Sequence, residues 1–149
     1  MWPTNLNALG DNYITENSHM QPGLIRRFHE TKMGSLPEVL ILGTGKPKCE
    51  FLNLDAAGAH VMNLSYAPYA QHTLPIKVQI NVACGRDVSI KQAARLVGEV
   101  VGYSGQMNFD GSRHYGALQK LMDSTKLNSL GLHAKVGLKK GLQATYHDL

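Results

Sequence analysis

"SIKQAARLVGEVVGYSGQMNFDG", residues 89–111, decides the fold. Ser89 precedes Gln92 by three positions, the spacing of a capping box in which each side chain satisfies the other's free backbone N–H. Behind it Ile90, Ala93, Ala94, Val97, Val100 and Val101 recur at intervals that place them on one helical face, so an amphipathic helix is predicted. "GQMNFDG" follows as a strand or extended segment. A helix with one apolar stripe must cover something, and a strand directly after it supplies half of an α/β unit.

The same alternation appears on either side. From Met20 onward, Leu24, Ile25 and Phe28 recur at helical spacing, Pro22 is tolerated in the first turn, and Gly34 ends the helix. "EVLILG", residues 38–43, reads as a short buried strand closed by Gly43, and "CEFLNL" as another. Asp55 is placed to cap a helix over "AAGAHVMNLSYA", a loop with two prolines follows, and "IKVQINVAC" alternates like a strand. Downstream, "SRHYGALQK" reads as a loop and "STKLNSLGL" as a short helix ended by Gly131. Leu138, Leu142, Thr145 and Leu149 predict a terminal helix. The opening "MWPTNLNALGDNY" has the composition of a loop or the tail of a strand. One α/β domain with some α+β character follows, with no repeat, low-complexity tract or linker.

The 149 residues suffice for one domain with a core, and 43% apolar with 17% charged residues is ordinary globular composition. A net charge of +4 suits an anionic ligand, but the cations are scattered, so nucleic acid is the weaker partner. No apolar run reaches bilayer length and no signal opens the chain. Cys49 and Cys84 fit no zinc or redox spacing, and two reduced thiols in a cytoplasmic protein are the simplest account. The seven histidines are dispersed, and His29-Glu30 lacks the second histidine of a zincin helix, so no metal site is expected.

Taken alone, the chemical signals are modest. "GTGK", residues 43–46, lacks the earlier glycine of a Walker loop, because Leu40 stands there, and Lys48 replaces the third glycine of a dinucleotide fingerprint; a turn between strands accounts for it. Arg26 and Arg27 project about 100° apart, so at most one shares a face with the core, and the other could grip phosphate or sit on a solvated face. His19 lies just before a helix, where it could cap, face solvent, or exchange protons. Cys49 has nothing local to activate it and reads as an inert thiol.

In combination, "PTNL", "GDNY", "ENSH" and "LIRRFHE" resemble the C-terminal half of GDP-L-fucose synthases, NADP-dependent epimerase/reductases of the extended short-chain dehydrogenase/reductase family. "PEV", "GTGKPKCEFLNLD", "INVACG", "VVGYSGQMNFDGS" and "KLMDSTKLNSLG" continue the likeness in order across essentially the whole chain. The resemblance implies a single partial domain over 1–149. It would be the substrate-binding lobe with the last strands and helices of a Rossmann-type fold, the N-terminal half being absent. It implies conversion of GDP-4-keto-6-deoxy-D-mannose to GDP-L-fucose by epimerisation and NADPH-dependent reduction. It assigns His19 as the acid of epimerisation. Pro3, Thr4, Asn5 and Leu6, with His19, line the nicotinamide end of NADP(H), while Arg27 and Lys120 bind the GDP-sugar.

Departures accompany the likeness. Leu42 stands for a substrate-contacting Trp, Cys49 for a phosphate-binding Arg and Tyr115 for an Asp. "NALG" lacks the Tyr-Gly-Pro that follows Asn-Leu in the family, and "NLDAAG" has lost one of two acids. The Gly-rich loop and the Tyr with Lys four residues later have no counterpart in these residues. The expectations are therefore a truncated synthase, inactive alone, or a non-catalytic remnant that binds a GDP-sugar. Exposed surface on strands 1–6 and 38–43 and on the Leu24/Phe28 helix face is expected to favour a homo-oligomer or a complementing N-terminal half.

Overall fold

The computed structural model describes residues 2–14, 18–54, 58, 80–112, 117–147 and 149. Among them the order is β1 (Trp2–Pro3), β2 (Asn5–Asn7), α1 (Met20–Met33), β3 (Glu38–Leu42), β4 (Lys48–Asn53), β5 (Asn81–Val82), β6 (Asp87–Ser89), α2 (Ile90–Val101), β7 (Gln106–Asp110), β8 (Gln119–Lys120), α3 (Thr125–Ser129) and α4 (Leu138–His147). Apart from Gly58, the helix expected after Asp55 lies outside the described residues, as do the loop that follows it and Tyr115. Of the strand expected over "IKVQINVAC", residues 80–84 are described, and Asn81–Val82 of them form a strand.

Parallel pairing dominates. β1 runs parallel to β5, β2 to β4, β3 to β7 and β8 to β4, while β6 alone runs antiparallel to β4. Residues 2–7 form an extended run that pairs with β5 at its start and β4 at its end, joined at Thr4, whose N–H bonds the Val82 carbonyl at 3.1 Å. A parallel pair needs a crossover to return the chain, and α2 lies on the path between β3 and β7.

The capping box on α2 forms as its sequence requires: Ser89 Oγ accepts the Gln92 N–H, and Gln92 Oε1 accepts the Ser89 N–H at 2.8 Å. Ala93, Ala94, Val97 and Val101 are buried, with Ile90 and Val100 packed beside them. They meet Leu24, Ile25 and Phe28 of α1, Val39 and Ile41 of β3 and Leu142 of α4. Gly98 makes this approach close, since a Cβ there would lie 2.9 Å from Met107 Cε and 3.2 Å from Phe28 Cε1. Phe28 also meets Tyr103 edge-on at 5.6 Å. A smaller cluster of Leu52 and Val82, flanked by Leu6, Cys84, Ala134 and Val136, lies under β2 and β4.

Several expectations need correction. Leu24 and Phe28 are covered by α2 and α4, so that helix face is not left open. β3 is not a buried strand: Val39 and Ile41 point inward while Leu40, 52% exposed, and Leu42, 37% exposed, point outward. Among the described residues it has one strand neighbour, β7, and helices pack on the face of Val39 and Ile41. Gly34 ends α1, yet the left-handed residue is Ser35 at φ 51, so the reversal falls one position later. Gln119 and Lys120, expected in a loop, add to β4. Leu149 stays 39% exposed and outside α4.

Candidate functional site

α1 begins at an unusual cap. His19 occupies the N-cap position, with extended backbone at φ −62 and ψ 162, but its side chain makes no capping bond. An imidazole spent on capping would be unavailable for proton transfer; here it is exposed at the mouth of a cavity. Gly23 sets that entry, because a Cβ at residue 23 would fall 2.7 Å from Ser18 Oγ.

The cavity holds about 380 Å³. One wall is the first two turns of α1, contributing His19, Met20, Leu24 and Arg27, together with Ile41 and Leu42 of β3. The floor is the Gly43–Pro47 turn and Ile90. Cys49 of β4, Ala117, and Lys120 of β8 complete the lining. The "GTGK" segment is thus the turn expected of it, with Gly43 at φ 94 and Gly45 at φ 71, and it also shapes the site. At Gly45 a Cβ would meet the Phe109 ring at 2.7 Å.

Arg27 is held in place: its Nη1 donates to the Leu40 carbonyl at 2.8 Å, while the guanidinium also borders the cavity. Arg26 turns away to pair with Glu30 on the exposed face. His29 packs against Tyr146 with Nδ1 3.1 Å from the hydroxyl. Lys120 stands in register with Cys49 across the β4–β8 pair. Burial pushes the Cys49 thiol up, Lys120 opposes that rise and Asp87 adds to it. The thiol form is therefore favoured at neutral pH, in keeping with an inert thiol.

His19, Arg27, Leu42, Cys49 and Lys120, drawn from four segments, thus border one cavity. Pro3, Thr4, Asn5 and Leu6 do not line it. Thr4 Oγ1 and Asn5 Nδ2 donate to the Glu50 carbonyl at 3.3 and 2.9 Å, and β1 and β2 spend their backbone in the sheet. Those polar groups are thus committed within the fold. Glu50 was missed by sequence reasoning. Its carboxylate is fully buried and accepts backbone N–H groups from Gly85 and from Met122. The available signal was an acid beside Phe51 and Leu52 in the predicted strand "CEFLNL". Among the described residues no group of histidines, cysteines and acids could hold a metal ion, and no helix is long and apolar enough to cross a membrane.

No protein-family profile matches the chain. Among curated proteins it is 42% identical to GDP-L-fucose synthase of Escherichia coli K12 over 147 residues, 97% of this chain and 46% of that enzyme. It is 44% identical to GDP-L-fucose synthase 1 of Arabidopsis thaliana over 145 residues, 97% of this chain and 43% of that protein. Among solved structures, the GDP-mannoheptose C4 reductase MlghC from Campylobacter jejuni, with NADP bound, superposes with a TM-score of 0.79 at 27% identity. The match spans 97% of this chain and 50% of that one. The chain therefore spans about half the length of the relatives it matches, and its α/β architecture is that of part of a Rossmann-like epimerase/reductase. The likeness to the C-terminal half of a GDP-L-fucose synthase, drawn from the motifs, stands.

Proposed function

We propose that these 149 residues carry the substrate-binding side of a GDP-L-fucose synthase type of site, in which the cavity receives the diphosphate and keto-sugar of a GDP-sugar. The carrying observation is the convergence of His19 and Arg27, from the start of α1, and Lys120, from β8, on one cavity. A guanidinium fixed by the Leu40 carbonyl keeps further N–H donors for phosphate oxygens, and the Lys120 ammonium neutralises the second charge. The apolar lining of Met20, Leu24, Ile41 and Leu42 excludes water around the sugar and strengthens both attractions.

His19 has the freedom that epimerisation requires, because a proton removed from one face of a carbon must be returned on the other by a mobile, uncommitted acid. NADPH, when bound, supplies the hydride that reduces the ketone. Pro3–Leu6 and His19 would border only its nicotinamide end. The Gly-rich loop and a Tyr-x-x-x-Lys pair are not among these 149 residues, so hydride transfer calls for a complementing nucleotide-binding half. Cys49, where the family pattern has an arginine, removes one phosphate donor, a loss on the order of 1.5–3 kcal/mol. A GDP-sugar-binding remnant is the second reading, favoured by that residue alone.

Titration calorimetry with GDP tests the site. Binding that falls about tenfold in Arg27→Met and in Lys120→Met supports it, and equal affinity in all three proteins refutes it. With GDP-4-keto-6-deoxymannose, the 149-residue chain is expected to leave NADPH unoxidised; turnover lost in His19→Ala would overturn the inactive reading and assign the acid together.

A further inference from the structure

We propose that Glu50 is a positioning residue that fixes where Lys120 stands in the cavity, and through it the grip on a phosphate-bearing ligand; the inference rests on the cavity being a GDP-sugar site. Lys120 reaches the cavity on β8, which is two residues long and exposed at both. Such a strand contributes few ladder bonds and no buried side chain, so its position depends on what fastens the chain around it. Before it, the Lys48 N–H bonds the Leu118 carbonyl at 2.9 Å. Within it, Gln119 Nε2 donates to the Asp87 carboxylate. After it, Met122 N–H donates to Glu50 Oε2 at 3.1 Å.

The last of these bonds differs in kind. Glu50 is fully buried, whereas Asp87 and Gln119 are in contact with solvent. A bond to a carboxylate away from water is stronger and less easily exchanged for a water molecule. Its other oxygen accepts the Gly85 N–H, and its own carbonyl accepts Thr4 and Asn5. One residue thus ties together the β2 segment, the Gly85 turn and the stretch that carries Lys120. Both carboxylate oxygens face N–H donors, a demand that a carboxylate meets and an amide does not. Glutamine would satisfy one donor and turn its NH₂ against the other.

A merely structural glutamate would lower stability and ligand affinity alike, so a double-mutant cycle decides. GDP affinity is measured by calorimetry for the wild-type chain, E50Q, K120M and E50Q/K120M. E50Q is expected to weaken GDP about tenfold with Lys120 present and to change nothing in the K120M background. An equal loss in both backgrounds, or no loss in E50Q, overturns the proposal. Should the wild-type chain bind no GDP, the reading of the cavity fails, and Glu50 is judged by amide hydrogen exchange instead. Faster exchange at Met122 in E50Q, with Val97 and Val101 of α2 still protected, supports the fastening; unchanged exchange at Met122 overturns it. E50D, one methylene shorter but still a carboxylate, replaces E50Q in the same cycle if the amide variant does not fold.

Discussion

α1 brings Arg27 to the cavity on a helix whose next residue, Phe28, is fully buried between α2 and β3, whereas β8 brings Lys120 on two exposed residues. The first cation is placed by dispersion and apolar burial, forces that are non-directional and spread over many atoms. The second is placed by a few directional bonds, one of them to Glu50. Packing tolerates small substitutions gradually, while a polar fastening fails when a single acceptor becomes a donor. The two sides of one site therefore differ in how they break: the α1 side through stability, the β8 side through ligand affinity with the fold intact.

The largest test falls on the packed side. Phe28→Ala leaves a hole bounded by Tyr103, Met107 and Gly98, and is expected to cost about 3–5 kcal/mol, read as a lower urea midpoint at an unchanged m-value. A cost below about 1 kcal/mol would mean that α1 is not seated by this core and would erase the contrast. Next comes the floor between the two walls. Gly45→Ala places a methyl 2.7 Å from Phe109 Cε1 and 3.2 Å from Lys91 Cβ on a backbone at φ 71. Left-handed strain and overpacking together are expected to cost roughly 1–3 kcal/mol by the same measurement. Since Gly45 borders the cavity, GDP affinity should fall with it, which separates the floor from either wall.

What the residues disclosed in advance follows the same division. α2 was legible to its ends because its capping box and its apolar stripe are local and periodic, and α1 for the second of those reasons. β3 was half legible: "EVLIL" reads as a strand, but its one-sided burial depends on helices covering a single face, which short-range pattern does not encode. β8 was read as loop, since two residues gain their strand character only from β4, which lies far away in sequence. At the site, His19, Arg27, Leu42, Cys49 and Lys120 came from motif resemblance and not from periodicity. Glu50 lies inside "GTGKPKCEFLNLD", but no role was read for it, because its N–H partners come into view only in the fold. The committed donors of Thr4 and Asn5 were equally invisible, as both depend on tertiary contact with the Glu50 carbonyl.

Smaller effects sharpen the division at the helix starts. Ser89→Ala removes a cap that accepts the Gln92 N–H and is expected to cost about 1 kcal/mol, checked by urea denaturation, with GDP affinity unchanged. α1 has no side-chain cap to lose, since His19 makes no capping bond.

The smallest effect tests the β8 side through pH. Burial raises the Cys49 thiol, Lys120 partly offsets this and Asp87 adds to it; Cys84 is raised by its own burial. A raised thiol means that the folded chain keeps its proton where the unfolded chain has begun to lose it. The folded state then binds more protons, and stability falls as pH rises from the ordinary thiol range toward the folded-state value, levelling off above it. Below that window the thiol contributes no slope. Urea midpoints measured across it should decline in the wild-type chain, and less so in Cys49→Ser. In Lys120→Met the cation that restrains the rise is gone, so the Cys49 contribution to the decline should extend to higher pH and vanish when Cys49→Ser is added. If Lys120→Met leaves that contribution untouched, the ammonium does not stand over Cys49, and the polar wall is not placed as its β4–β8 register requires.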